Sequence, residues 1–286
     1  MKRHESVKKA SVLGIIFNLF LVIIKGLIGF ITKSQSMIAD FVNSFGDVFS
    51  SLMTFIGNKI ASKPSDDDHN LGHGKAEYIY SMIISIIMII TSLVLFKDSI
   101  LTIIYRKKFT FSKYLIVVCL VTILIKLGLY IYTNKISKEH KNILIKANSI
   151  DHRNDCIITS LNLFSCTMSY FGIFFFDGII GILISTWLIY ESVKIFLESY
   201  DVLIDRSIDI KTKNRVLDII SKHKEIVRIN HFNSTPVGYK YQISFTIFVD
   251  GNLSTFKSHE IANKLEKEID KEIEEIYLTV IHVNPI

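Results

Sequence analysis

Over the first two thirds of the chain, apolar positions do not alternate with polar ones; they come in long runs. The runs cover about residues 11–31, 36–61, 78–104, 113–133, 156–176 and 178–198, each near the ~20 residues that a helix needs to cross a bilayer. After about residue 205 the pattern changes. "DIKTKNRVLDIISKH" has apolar residues at helical spacing, and "YKYQISFTIFVD" alternates, with Tyr241, Ile243, Phe245, Ile247 and Val249 on one face. "TFKSHEIANKLEKEIDKEIEE" predicts a second amphipathic helix, "YLTVIHVNP" a last strand and "EIVRINHFNS" an earlier one. The expected fold is an α-helical membrane protein. Six transmembrane helices occupy residues 1–205, and a cytosolic α+β domain, αββαβ and ferredoxin-like, occupies 206–286. The first run exceeds the h-region of a signal peptide and no small-residue cleavage site follows it, so it is read as a retained helix.

Composition agrees with this segregation. The 286 residues combine 49% hydrophobic content and a mean hydropathy of +0.37 with 21% charged residues. The formal charge of +6 does not point to nucleic acid, because from Arg206 onward 12 Lys and Arg face 11 Asp and Glu. The excess surrounds the membrane runs and speaks to topology. Lys2, Arg3, Lys8, Lys9, Lys59, Lys63, Lys75, Lys135, Lys138, Lys141 and Lys146 fall on the side of the N-terminus, which places both termini in the cytoplasm. The basic loop "YRKKFTFSK" falls on the other side. Cys119, Cys156 and Cys166 lie inside apolar runs without metal-ligand spacing and read as small buried hydrophobes.

Polar residues inside the runs carry the chemistry. In "DFVNSFGDVFSSLMTFIG", Asn43 and Asp47 stand four apart and share one helix face; in "ANSIDHRNDCIITS", Asp151 and Asp155 repeat that spacing. A carboxylate at the centre of a membrane helix costs roughly 2.5–3.5 kcal/mol on insertion scales, and such residues commonly line an ion path. Two helices with two oxygen side chains each bring four ligands to one point. The alternative is interhelical hydrogen bonding or a place in the headgroup region. Between the second and third runs, "DDDHNLGHGKAE" holds Asp66, Asp67, Asp68, His69 and His73, a donor set that suits zinc and other divalent first-row metals; the alternative is a solvated acidic loop. Lys25, Lys126 and Glu191 read as structural residues that snorkel or pair with an opposite charge.

The run "SMIADFVNSFGDVFSSLMTFIGNKIASKPSDDDHNLGHGKAE", the segment "ANSIDHRND" and the "IHVNP" ending together resemble the cation diffusion facilitators, membrane metal-ion transporters. The resemblance extends over the whole chain. It implies a homodimer in the cytoplasmic membrane that exports a divalent cation in exchange for protons, with no enzymatic activity and no cofactor. By the same resemblance the transport site is Asn43, Asp47, Asp151 and Asp155, and the loop site is Asp66, His69 and His73. Lys75 and Asp205 match a charge pair at the dimer interface, and His231, His259 and His282 fall where relatives bind regulatory metal.

Two departures refine that expectation. Zinc-type members place a histidine in at least one helix pair, and here none stands at a matching position; His152 is set aside because it lies about 100° around the helix from Asp151. Ser244 and Asn284 stand where zinc-type relatives carry histidine and aspartate. The Asn, Asp, Asp, Asp set resembles the manganese-exporting branch, and oxygen donors suit Mn2+. Other readings kept open are a zinc, iron or cadmium exporter of the same family, a membrane-bound metalloenzyme centred on the loop, and a metal sensor.

Overall fold

The structure, a computed structural model, describes residues 2–32, 35–105, 113–170 and 175–286. Six long helices come first: α1 (Lys2–Thr32), α2 (Gln35–Ala61), α3 (Ala76–Tyr105), α4 (Lys113–His140), α5 (Ile143–Tyr170) and α6 (Phe175–Leu203). Among the described residues, the stretches Arg3–Ile28, Ala76–Tyr105 and Ile116–His140 are long and apolar enough to cross a membrane. The chain separates into two compact units, residues 1–62 with 76–200, and residues 63–75 with 201–286. The α2–α3 loop thus belongs with the C-terminal part.

The first unit is built inside out. Leu13, Ile16, Phe20, Ile23 and Leu27 on α1 are exposed, while Asn18, Ser44, Ser50, Ser51, Thr54, Ser81 and Ser85 are buried. Large apolar groups facing outward suit lipid, and small polar residues between helices let their backbones approach. At Gly57 that approach is tight, because a Cβ there would come within 2.7 Å of the Tyr80 Cβ on α3. Several buried hydroxyls bond their own helix, as Ser81 does to the Glu77 carbonyl at 2.7 Å, so they need no distant partner.

Helix α4 outlasts its apolar run, which ends near residue 133, and continues to His140. The polar stretch after residue 133 is therefore mostly helix. Lys141 then takes a left-handed φ of 47°, and the Asn142 side chain accepts the Ile145 N–H at 2.9 Å, which starts α5. The consequence for function is positional: Lys126 sits at the middle of α4 and not near its end.

In the second unit, α7 (Ile210–Ser221), β1 (Arg228–Val237), β2 (Lys240–Val249), α8 (Thr255–Glu272) and β3 (Ile276–Pro285) realise the expected αββαβ order. The sheet order is β1-β2-β3, antiparallel between β1 and β2 and parallel between β2 and β3, with α8 as the crossover that a parallel pair requires. The alternation of β2 has the predicted outcome, since Ile243, Phe245, Ile247 and Val249 are buried against Val216, Ile219, Ile261, Leu265 and Ile269. Strand β1 carries a bulge between Asn230 and Asn233, where His231 takes a φ of 52° and Phe232 stacks on Phe245.

Helix α7 opens on Asp209, whose carboxylate accepts the N–H groups of Lys211 and Thr212 at 3.1 Å each. Bonds from the Thr212 hydroxyl and N–H hold the Asp209 pKa below its ordinary value. Asp209→Ala is expected to cost about 1 kcal/mol, read as faster amide hydrogen exchange across α7 in the full chain. Because the folded-state pKa is lowered, this stabilisation is present above the ordinary carboxylate range and is lost as pH falls through the lowered value.

Candidate metal centres

Helices α2 and α5 pack against each other in the first unit, and they bring Asp47 and Asp155 to one point. Both are buried, at 6% and 8% exposure. Between them stands Lys126 of α4, 0% exposed, with Nζ 2.8 Å from Asp47 Oδ2 and 2.5 Å from Asp155 Oδ2. Burial excludes snorkelling for Lys126 and leaves the other expectation, a structural pairing with acids. Lys25 does not snorkel either: it is buried and donates to Ser44 Oγ at 3.0 Å. Glu191 pairs with Arg153 at 3.3 Å, and that guanidinium lies 4.7 Å from the Trp187 ring centre. The side chain of Asn43 lies outside the described residues, as do those of Asp40 and Cys166.

Asp151 contributes a third carboxylate, and its Oδ2 is buried without a hydrogen-bond partner among the described residues. Donor atoms of Asp151, His152 and Asp155 lie within 4.8 Å of one another. The histidine set aside on angular grounds is thus within reach, because a residue one position along the helix still converges on a donor three positions further on. His152 is fully buried, and among the described residues both its ring nitrogens lack a partner. On the side facing Gly14, Asn18 donates to Ser51 Oγ at 3.0 Å and to the Asp47 carbonyl at 3.1 Å. Uncompensated buried polar atoms cost free energy, so their concentration around three carboxylates marks a site built to receive something polar.

The loop of the second unit forms a separate cluster. Asp66 accepts the His69 N–H at 2.7 Å, its Oδ1 lies 3.2 Å from His69 Nδ1, and its Oδ2 lies 3.4 Å from His73 Nε2. Donor atoms of Asp66, His69 and His73 all lie within 4.8 Å of one another. The other ring nitrogen of His73 lies 3.2 Å from the Pro64 carbonyl, which orients the ring. Desolvation pulls the Asp66 pKa upward, but hydrogen bonds from His69 and the electrostatic influence of His73 and His69 together outweigh it and hold it below its ordinary value. Asp67 and Asp68 are exposed and belong to no such cluster among the described residues.

Lys75 Nζ lies 2.7 Å from Asp205 Oδ1 within the same chain, both half exposed. His231 stands at the β1 bulge, His259 on α8 beside a groove of about 290 Å3 with Asp250 and Ser258, and His282 on β3 opposite Thr246. Among the described residues these three histidines do not form a metal-ligating group. One further constellation escaped the sequence reading: Arg3 grips Glu77 with both guanidinium nitrogens at 2.5 and 2.6 Å and donates to the His140 carbonyl at 3.1 Å. Its only sequence signal is the acid of "GHGKAE" directly after the loop.

Comparison with known proteins finds two family matches along the chain. Residues 11–204 match the family described as the cation efflux transmembrane domain, and residues 208–286 match the cation efflux protein cytoplasmic domain. The manganese efflux system protein MneP of Bacillus subtilis is 26% identical over 99% of this chain and 98% of its own length. An uncharacterized transporter of Methanocaldococcus jannaschii is 26% identical over 98% of this chain and 99% of its own. The cation-efflux pump FieF of Shewanella oneidensis is 25% identical over 98% of this chain and 94% of its own.

Proposed function

This chain belongs to the cation efflux family, the cation diffusion facilitators, and from that premise we propose that it exports Mn2+ from the cytoplasm in exchange for protons. It is a divalent metal cation efflux transporter and not an enzyme. Asp47, Asp151 and Asp155 bind the travelling ion, and Asn43 adds a neutral oxygen that favours a hard cation over zinc. The observation that carries this reading is the convergence of buried carboxylates from α2 and α5 on a single positive charge. A place that holds an ammonium between two carboxylates has the charge and the oxygen donors for a metal ion. Carboxylates also hold protons, so loading one species releases the other. The manganese named for MneP, and for MneS of the same organism at 26% identity to this chain, supports the choice of ion.

The transporter works as a homodimer with both termini in the cytoplasm, assembled through the C-terminal domain and the Lys75–Asp205 region. Asp66, His69 and His73 hold a second divalent ion in the loop, where two imidazoles suit zinc. The three C-terminal histidines take no part in the transport step.

The placement of His152 favours a second reading, in which its unpartnered imidazole joins Asp151 and Asp155 and the exported ion is Zn2+, Fe2+ or Cd2+. Uptake of Mn2+ and Zn2+ into sealed vesicles reconstituted with wild type, Asn43→His and His152→Ala separates the two. The manganese reading expects Mn2+ uptake by wild type, a shift toward Zn2+ in Asn43→His, and retained Mn2+ uptake in His152→Ala. Preference for Zn2+ in wild type, lost in His152→Ala, establishes the second reading.

A further inference from the structure

Resting on the assignment of Asp47 and Asp155 to the transport site, we infer that Lys126 is a tethered counter-ion that fills that site when no metal is bound, and that an entering divalent cation must displace it. Its Nζ makes a 2.8 Å bond to Asp47 and a 2.5 Å bond to Asp155, so it spans the same two helices that the metal bridges. Oxygens bind hard divalent cations such as Mg2+ and Ca2+ at about 2.0–2.6 Å, and an ammonium and a divalent ion within a few ångströms of each other repel strongly where water is excluded. Both cannot occupy the gap between the same two carboxylate oxygens. Lysine has the means to yield, since its charge rides on a flexible four-carbon stem.

The position is a costly one to maintain without a purpose. Lys126 is wholly buried at the midpoint of α4, and a charged residue at the centre of a membrane helix costs roughly 2.5–3.5 kcal/mol on insertion scales. It brings one formal positive charge to three formal negative ones, and it satisfies Asp47 and Asp155 while leaving Asp151 Oδ2 without a bond. The free carboxylate oxygen gives an arriving cation a first point of attachment before the ammonium withdraws. When the metal leaves, the ammonium returns, and the emptied carrier does not expose Asp47 and Asp155 as bare charges. Lys126 therefore lowers the affinity for the cargo and speeds the return of the empty carrier.

These two effects have opposite signatures, which a purely structural ion pair does not share. Equilibrium Mn2+ binding and Mn2+ uptake into vesicles are measured for the full-length protein as wild type, Lys126→Met, Lys126→Arg and Asp47→Asn. The binding lost in Asp47→Asn defines the transport-site component. Lys126→Met is expected to tighten that component at least tenfold and to lower the maximal uptake rate at least tenfold. Lys126→Arg keeps the charge and is expected to stay within about threefold of wild-type affinity. Unchanged or weaker binding in a folded Lys126→Met protein overturns the proposal; if that variant does not fold, Lys126→Gln is read against the same criteria. Asp47→Asn binding Mn2+ as wild type does would instead refute the transport-site assignment on which the inference stands.

Discussion

Vesicles carrying Asp47→Ala are expected to show no ion uptake above the protein-free background, a loss of at least ~100-fold. Asp47 is one of two buried carboxylates that face each other across the α2–α5 contact, and alanine leaves nothing on α2 at that point to share a cation with Asp155. Loss of residues that merely support metal ligands costs 10–100-fold, so loss of a carboxylate ligand lies at or beyond that range. The variant also leaves Lys126 paired with Asp155 alone, which biases the site further toward the lysine-filled state. Loop binding at Asp66, His69 and His73 is expected to survive, because that cluster lies in the other unit. Uptake at the wild-type rate would remove Asp47 from the transport site, and loss of loop binding as well would indicate misfolding.

The second large effect concerns stability. Arg3→Ala is expected to destabilise the helical unit by about 3–5 kcal/mol, the range for removing one partner of a buried ion pair. Glu77 is 3% exposed and receives both arms of the guanidinium, while the third nitrogen ties the first turn of α1 to the last turn of α4. Without Arg3, a buried carboxylate stands alone. The readout is the apparent melting temperature of the detergent-solubilised protein, with three comparisons. Arg3→Lys recovers only part of the loss, since an ammonium cannot reproduce the fork. Arg3→Met combined with Glu77→Leu recovers most of it, because the pair is replaced by apolar groups. An unchanged melting temperature in Arg3→Ala would mean that the contact contributes nothing to holding the three helices.

The outline of this molecule was legible because it depends on local periodicity. Apolar runs specified the long helices, alternation specified β2, and an i, i+4 spacing put Asp151 on the same helix face as Asp155. What escaped depends on packing between distant segments. Lys126 lies 79 residues from Asp47 and 29 from Asp155, and no spacing rule joins them. The apolar run ends near residue 133, whereas Lys141 and Asn142 end α4 and start α5 further on, which puts Lys126 at mid-helix. His152 was discounted by angle, although side-chain length and burial decide reach. Arg3 was legible only as a topology charge, because its partner lies 74 residues away.

The membership of the α2–α3 loop in the C-terminal unit has a consequence for the order of events at the ribosome. Gly74 packs against Gly238 so closely that a Cβ on Gly74 would come within 2.8 Å of the Gly238 Cα, and Lys75 bonds a residue 130 positions later. At about 5–20 residues per second of synthesis, the loop emerges roughly 7–30 seconds before those partners exist. Four further membrane helices are made in that interval. A nascent chain cut short anywhere in α3–α6 therefore presents an acidic, histidine-bearing loop with no platform to dock on, and the second unit closes only on chains whose helical part has been made in full.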